Sequence, residues 1–227
     1  MPDDPGTVLV TGAASGLGAA VAAAVRAAGG TVLALDRVPV EGYRGEVVDL
    51  AESRAAEEAV RRLVGEHPLH GVVTAAGTDV CGPLDEVDPI AWERVVLVNL
   101  LGTAAVVRAA LPSLRRTKGK VVTVASTLGH RVFPDATAYC ASKFGVVGFT
   151  RALQSELKGQ VGVTLLTPGG MHTAFFDDRE AQYKPPPDAK LNRPEDVART
   201  VLHCLTQPPG CEVRELVVTS SWEGSWP

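Results

Sequence analysis

No long run of basic residues occurs in the chain, and its formal net charge is −4. This excludes a nucleic-acid surface, whose affinity rests on neutralising phosphates with Lys and Arg. Cysteines are few and scattered: Cys81, Cys140, Cys204 and Cys211 show no paired metal-ligand spacing, and no metal site is expected. Free thiols in a reducing cytoplasm are the expectation, and the cytoplasm the expected location. Long uninterrupted apolar runs are also missing, since charge or Gly breaks each of them, so no membrane span is expected. Met1 to Gly6 is acidic and turn-forming and does not read as a secretory signal. What is present, 227 residues with 45% hydrophobic and 21% charged, suits a globular α/β domain.

The first half reads as strands alternating with helices. Thr7 to Thr11 is a short β-branched run, a buried strand, and it leads straight into Gly12-Ala13-Ala14-Ser15-Gly16-Leu17-Gly18. An Ala-rich helix follows, about Leu17 to Ala28, stopped by Gly29-Gly30. Glycines between a strand and a helix start let the backbone approach a pyrophosphate closely. The helix N-terminus adds free N–H groups and a positive dipole. Gly12, Ser15, Gly16, Leu17 and Gly18 are therefore candidate cofactor-binding residues. The competing reading is a tight turn that only packs the helix on the strand.

A second strand, Thr31 to Arg37, ends in Asp36, 18 residues beyond Gly18. A carboxylate there accepts hydrogen bonds from ribose hydroxyls and repels a 2′-phosphate, which favours NAD. Arg37 beside it is able to turn toward a phosphate, which keeps NADP open. Asp36 also reads as a plain turn acid. Gly45 to Leu50 reads as a third strand. Asp49 and Leu50 at its end either meet an adenine or, for Asp49, cap the next helix, about Glu52 to Gly65. Leu69 to Gly77 is a fourth strand ending in Ala75, Ala76 and Gly77, small enough for a cofactor to lie close. Such alternation implies a parallel sheet with helices on both faces and ligands beyond the carboxyl ends of the strands.

The second half carries candidate chemistry. Asp88-Pro89 opens a long helix toward Arg115, in which Asn99 is a lone polar residue among Val98, Leu100 and Leu101. Gly119 to Thr127 is a fifth strand with Ser126 at its end, 13 residues before Tyr139. Tyr139 and Lys143 stand one helical turn apart and share a face. A nearby ammonium favours the phenolate, so Lys143 is expected to lower the pKa of Tyr139 and fit it for proton exchange. Alone, that spacing equally describes a surface Tyr and a solvated Lys.

Thr11-Gly12-x-x-x-Gly16-x-Gly18, Asn99, Ser126 and Tyr139-x-x-x-Lys143, in this order, resemble the short-chain dehydrogenase/reductase family. The likeness runs from about Thr7 to Thr219 and includes Pro168 to Thr173 after a sixth strand, Val161 to Leu166. It implies a doubly wound Rossmann-type fold, one domain over residues 1–227 with a seven-stranded parallel sheet. It also implies hydride transfer between NAD, or NADP, and a small-molecule alcohol or carbonyl. By that resemblance Tyr139 is the acid/base, Ser126 holds the substrate oxygen, and Lys143 binds the nicotinamide ribose. Asn99 would organise a water in the proton relay, and Pro168, Gly169, Met171 and Thr173 would line the nicotinamide. One departure stands out. The family often has Asn-Asn-Ala-Gly where this chain has Thr74-Ala75-Ala76-Gly77, which puts local hydrogen bonding in doubt more than catalysis.

Residues 171–193 are expected to cover the substrate. Phe175, Phe176 and Tyr183 point to an apolar lid, Asp177 to Glu180 to a polar loop. Trp222 and Trp226 in the tail suggest docking onto the body or onto another subunit. Leu101, Val106, Val107, Leu111, Val146, Val147, Phe149 and Leu153 exceed one core face and predict a homodimer or homotetramer. Set against the enzyme is a non-catalytic sensor or scaffold that binds NAD(P). It has no physical need for Ser126, Tyr139 and Lys143 together.

Overall fold

The computed structural model describes residues 4–65 and 67–226. Met1 to Asp3 of the N-terminal reading and Pro227 of the tail lie outside them. Seven strands form one sheet: β1 (Thr7–Thr11), β2 (Thr31–Asp36), β3 (Arg44–Val47), β4 (Gly71–Thr74), β5 (Lys120–Val124), β6 (Gly162–Pro168) and β7 (Glu215–Val218). Every pairing is parallel and the order is β3-β2-β1-β4-β5-β6-β7. Parallel strands are covered on both faces, so β1 buries Val8, Leu9 and Val10 completely instead of alternating. The fold is α/β and Rossmann-like, as expected.

Helices α1 (Gly16–Ala27), α2 (Ser53–Val64), α3 (Pro89–Val96), α4 (Thr103–Thr117), α5 (Thr137–Glu156) and α6 (Pro194–Leu205) connect the strands. Two cores result. On one face Val21 and Val25 of α1 and Val197 and Val201 of α6 pack on Val8, Val10 and Val122. On the other, Val60 and Leu63 of α2, Val106 of α4 and Leu153 of α5 pack on Leu9, Val72 and Val121. The chain winds outward from β1 to β3 and then returns to β4 on the other side of β1. That reversal opens a crevice at the carboxyl ends of β1 and β4, where ligands of such sheets bind.

Two expected element ends are corrected. β3 stops at Val47, so Asp49 lies past the strand, and the N-cap of α2 is Glu52. Asp49 instead accepts from the Ala51 amide at 2.9 Å and pairs with Arg94 at 2.6 Å. Burial pushes its carboxyl up, but the Ala51 amide and Arg94 outweigh that and hold it below the usual range.

The stretch Pro89–Thr117 is continuous helix and, by length and composition, apolar enough to cross a membrane. The sequence reading, which counted interruptions, did not find it. Half of its most apolar window is buried in the protein, as in a core helix. Asp88 caps it through the Ile90 and Ala91 amides, with Pro89 in the first turn. Between α3 and α4 the helix widens into a π turn, Leu97–Gly102, with Asn99 inside it. The expected apolar surplus is smaller than its list suggests. Val106, Val107, Val146, Val147 and Leu153 all lie in the core, and Leu101 and Phe144 are the exposed apolar residues of these helices beyond Ile90 at the start of α3.

Candidate active site

The glycine cradle is built by close approach. Gly12 follows β1 with φ +68°, and its amide donates to the Leu35 carbonyl of β2 at 2.9 Å. A methyl group on it would meet the Ala76 Cα at 2.8 Å. Gly18 sits tighter still: a Cβ there would be driven into the Gly12 carbonyl, 2.5 Å from its carbon and 2.9 Å from the Thr11 oxygen. These contacts bring the start of α1 onto the end of β1. Ser15 precedes α1 without a side-chain cap, and the first turn holds no acid. Its N–H groups and dipole are thus left for an anion, and the cradle fits a diphosphate.

Asp36 ends β2 where expected, and it also builds the cradle. One oxygen accepts from the Ala14 amide at 2.9 Å and the other from Val38 at 3.3 Å. Arg37 is exposed next to it. On the far side, Ala75, Ala76 and Gly77 follow β4, and Thr11 Oγ1 accepts from the Ala76 amide at 3.1 Å. The departure at Thr74 has a visible effect, since its buried hydroxyl has no hydrogen-bond partner. Pro168 is the last residue of β6, and Thr173 comes within van der Waals reach of a Cβ at Gly16. Gly169 and Met171 lie between them. Leu50, 7% exposed, packs in the core, where its Cβ and carbonyl close off Gly102.

The chemistry-bearing residues converge beside Gly77, whose Cβ position lies 3.5 Å from Asn99 Oδ1 and 3.9 Å from Lys143 Nζ. Asn99 is buried with both ends of its amide hydrogen-bonded. Oδ1 accepts from the Thr78 amide at 2.8 Å, and Nδ2 donates to the Thr78 carbonyl at 2.9 Å and Ser142 Oγ at 3.0 Å. The amide therefore ties the β4 loop to α5. Ser126 starts the short helical turn after β5 and accepts from the Leu128 amide at 3.2 Å. Lys143 is buried and donates to the Val124 carbonyl at 2.8 Å, its Nζ 5.6 Å from the Tyr139 ring centre.

The expected direction of the Tyr139 shift is reversed. Burial raises its hydroxyl above the ordinary tyrosine value, and the Asp79 carboxylate raises it further. Ser126, which hydrogen-bonds it, and Arg179 pull down, and do not win. Lys143 does not supply the expected depression because burial lowers its own pKa to about 8, which thins its charge. A lysine depressed this way binds fewer protons folded than unfolded, so its contribution to stability rises with pH between about 8 and the ordinary lysine value of about 10.5. The raised thiols of Cys81 and Cys204 act the other way from about 9 to about 11, so denaturation midpoints of the cofactor-free protein should climb from about 8 to about 9 and then turn down. Lys143→Met should remove the climb, its curve diverging from that of the wild type by about 3 kcal/mol at most. Parallel midpoint curves for the two proteins would contradict the buried ammonium.

Sequence reasoning missed Asp79 and Arg179. Asp79 follows β4 by a few residues, its side chain 4% exposed, and pairs with Arg179 from the 171–193 segment. Cys81 donates its thiol to the same carboxylate at 3.4 Å, and burial pushes that thiol up to about 11. The signal available was an acid just beyond the carboxyl end of a central parallel strand. The segment itself lies over the site: Phe175 packs on Tyr139 at 5.7 Å, and Tyr183 donates to Asp135 at 3.2 Å. The tail closes the other side. Ser225 bonds Thr127 at 2.7 Å, Glu223 accepts from the Gly170 amide at 3.0 Å, and Trp226 stands edge-on to His130 at 5.2 Å. Trp226 thus docks on the body, whereas Trp222 is exposed.

A cradle at the switch point and a hydroxyl pair across the same crevice define the class, an oxidoreductase of NAD(P)-binding Rossmann type. A family model described as short chain dehydrogenase matches residues 6–184, and the chain belongs to that family. It is 30% identical over 226 residues to an uncharacterized oxidoreductase of Staphylococcus aureus, covering 92% of this chain and 95% of that protein. It is 32% identical over 233 residues to the glycine betaine reductase ATRR of Emericella nidulans, again over 92% of this chain. The match spans only 18% of that much longer protein. Among solved structures, an alcohol dehydrogenase from the archaeon Thermococcus sibiricus complexed with 5-hydroxy-NADP superposes with a TM-score of 0.85 at 25% identity, over 96% of this chain and 97% of that one. A closed serine dehydrogenase complexed with NADP+ gives the same score and identity over 94% of each.

Proposed function

We propose that the protein interconverts an alcohol and its carbonyl compound with NAD in preference to NADP. The observation that supports this most is the grouping of Ser126, Tyr139 and Lys143 beside Gly77, across from the cradle. When bound, the nicotinamide supplies or accepts the hydride. Ser126 and Tyr139 donate hydrogen bonds to the reacting oxygen, and Tyr139 delivers the proton as charge develops there. Its raised pKa keeps the hydroxyl protonated at neutral pH, the state a carbonyl reduction requires. Lys143 would bind the nicotinamide ribose, and Asn99 fixes the loop after β4 through Thr78. Phe175, Phe176 and Tyr183 act as the lid over one domain that holds both cofactor and substrate.

A screen of alcohols and ketones, following reduced-cofactor absorbance with NAD and NADP in parallel, tests this reading. Cofactor binding without turnover of any compound would move the protein to the sensor or scaffold class. The exposed Leu101 and Phe144 support self-association through the π turn before α4 and through α5, and sedimentation at micromolar concentration distinguishes that from a 23.7 kDa monomer.

The NAD preference rests on Asp36. Asp36→Asn keeps an acceptor for the Ala14 amide and removes the charge, separating the cradle from the selectivity. The ratio of catalytic efficiencies for NAD over NADP should fall about tenfold, equivalent to roughly 1.4 kcal/mol. An unchanged ratio sinks the assignment of Asp36 to the ribose.

A further inference from the structure

The guanidinium of Arg179 is held from several directions. Nη2 donates to the buried carboxylate of Asp79, and Nη1 to the Tyr183 carbonyl at 3.2 Å. Its central carbon lies 5.4 Å from the Phe175 ring centre and 4.7 Å from that of Phe176. Phe175 in turn packs on Tyr139. The remaining Nε–H is buried and has no partner. Buried donors are almost always paired, and an orphan held this firmly beside a reacting hydroxyl is a donor waiting for an acceptor.

We propose that Arg179 determines specificity, its Nε–H donating to a second, uncharged oxygen of the substrate, apart from the oxygen that meets Ser126 and Tyr139. This rests on the oxidoreductase reading and names its substrate class: carbonyls and alcohols that carry a further hydroxyl, ether or carbonyl oxygen. The charge balance selects an uncharged oxygen. Asp79 already neutralises Arg179, so the pair offers no surplus positive charge, and its carboxylate repels a carboxylate on the substrate. A wholly apolar substrate fits no better, because it leaves the buried N–H unpaired. Arg179 stacks on Phe175, which packs on Tyr139, so the guanidinium stands one ring away from the proposed acid.

Binding tests this without turnover. With NAD saturating and no hydride donor present, ketones bind and do not react. Calorimetry compares 2-methoxycyclohexanone with 2-ethylcyclohexanone, which differ by one oxygen in place of a methylene. The ether should bind roughly tenfold tighter to the wild type. 3-Oxocyclohexanecarboxylate should bind more weakly than either. Arg179→Lys keeps a cation for Asp79 and lacks the Nε–H, so the ratio should fall toward one. A wild-type ratio near one, a carboxylate that binds tightest, no measurable binding of the ether, or a ratio unchanged in the Lys variant each overturns the proposal. The wild-type ratio needs no variant to fold. Failure of the parent reading shows separately, as absent NADH fluorescence enhancement or absent turnover across the general screen.

Discussion

Tyr139→Phe lowers turnover by roughly a thousandfold while affinity for the reduced cofactor stays within about twofold of wild type. The substitution removes a single hydroxyl. The ring remains, and so does its packing on Phe175. Lys143 keeps its bond to the Val124 carbonyl, because nothing in that contact involves the phenol oxygen. On the proposed mechanism, what disappears is the proton source and one of two donors to the reacting oxygen, with Ser126 left to act alone. Proton transfer by a positioned group contributes about 10²–10⁴ in rate, and the loss should fall in that range. Steady-state rates give the first number and fluorescence titration with NADH the second. A variant that keeps more than a tenth of wild-type turnover would mean that another group delivers the proton.

The second large effect belongs to Gly18. Gly18→Ala should weaken cofactor binding at least a hundredfold and also lower the melting temperature of the cofactor-free protein. The clash is with the Gly12 carbonyl and the Thr11 oxygen, both main chain, so no side chain is able to swing away. Relief requires α1 to move off β1, which opens the cradle and loosens the packing of Val21 and Val25 on the sheet. Gly16→Ala is the internal control. A Cβ there meets Thr173 at an ordinary 3.4 Å, and its φ of +53° costs on the order of 1 kcal/mol. The two variants should therefore separate clearly in titrations with NADH. Equal, mild losses would show that helix and strand tolerate a shift that this packing excludes.

The cradle was legible because glycine is a backbone statement, and its place between a strand and a helix is written in consecutive residues. The central sheet was legible for a similar reason, since β1, β2, β4, β5 and β6 are local apolar runs, whereas β3, Arg44–Val47, is polar and largely exposed and its bounds were read less well. Asn99 stood out as a polar residue among Val98, Leu100 and Leu101, yet its partners, Thr78 and Ser142, lie 21 and 43 positions away and no periodicity points to them. Asp79 and Arg179 are 100 positions apart, each unremarkable in its own surroundings. The Tyr139 shift was misjudged because helical spacing reports which residues share a face, not how much water either one loses. Desolvation is a property of the whole packed crevice, and it overrode the local pair. The oligomer argument weakened in the same way, since a list of apolar residues does not say that Val146 and Val147 face inward.

The widened turn at Leu97–Gly102 has a consequence for chain length. A π turn holds one residue more than the α-helix it interrupts. Deleting one residue there lets the turn close into regular α-helix, and because the wider turn only absorbs the extra residue, the helix beyond it keeps its facing. Val106 and Val107 would stay on the sheet and Arg108 beside Glu57. A deletion in the regular turns on either side would instead rotate everything beyond it by about 100°. A library of single-residue deletions should therefore keep more folded clones shortened between residues 97 and 102 than clones shortened within α3 or α4, and the turn is a slot from which the fold can spare one residue.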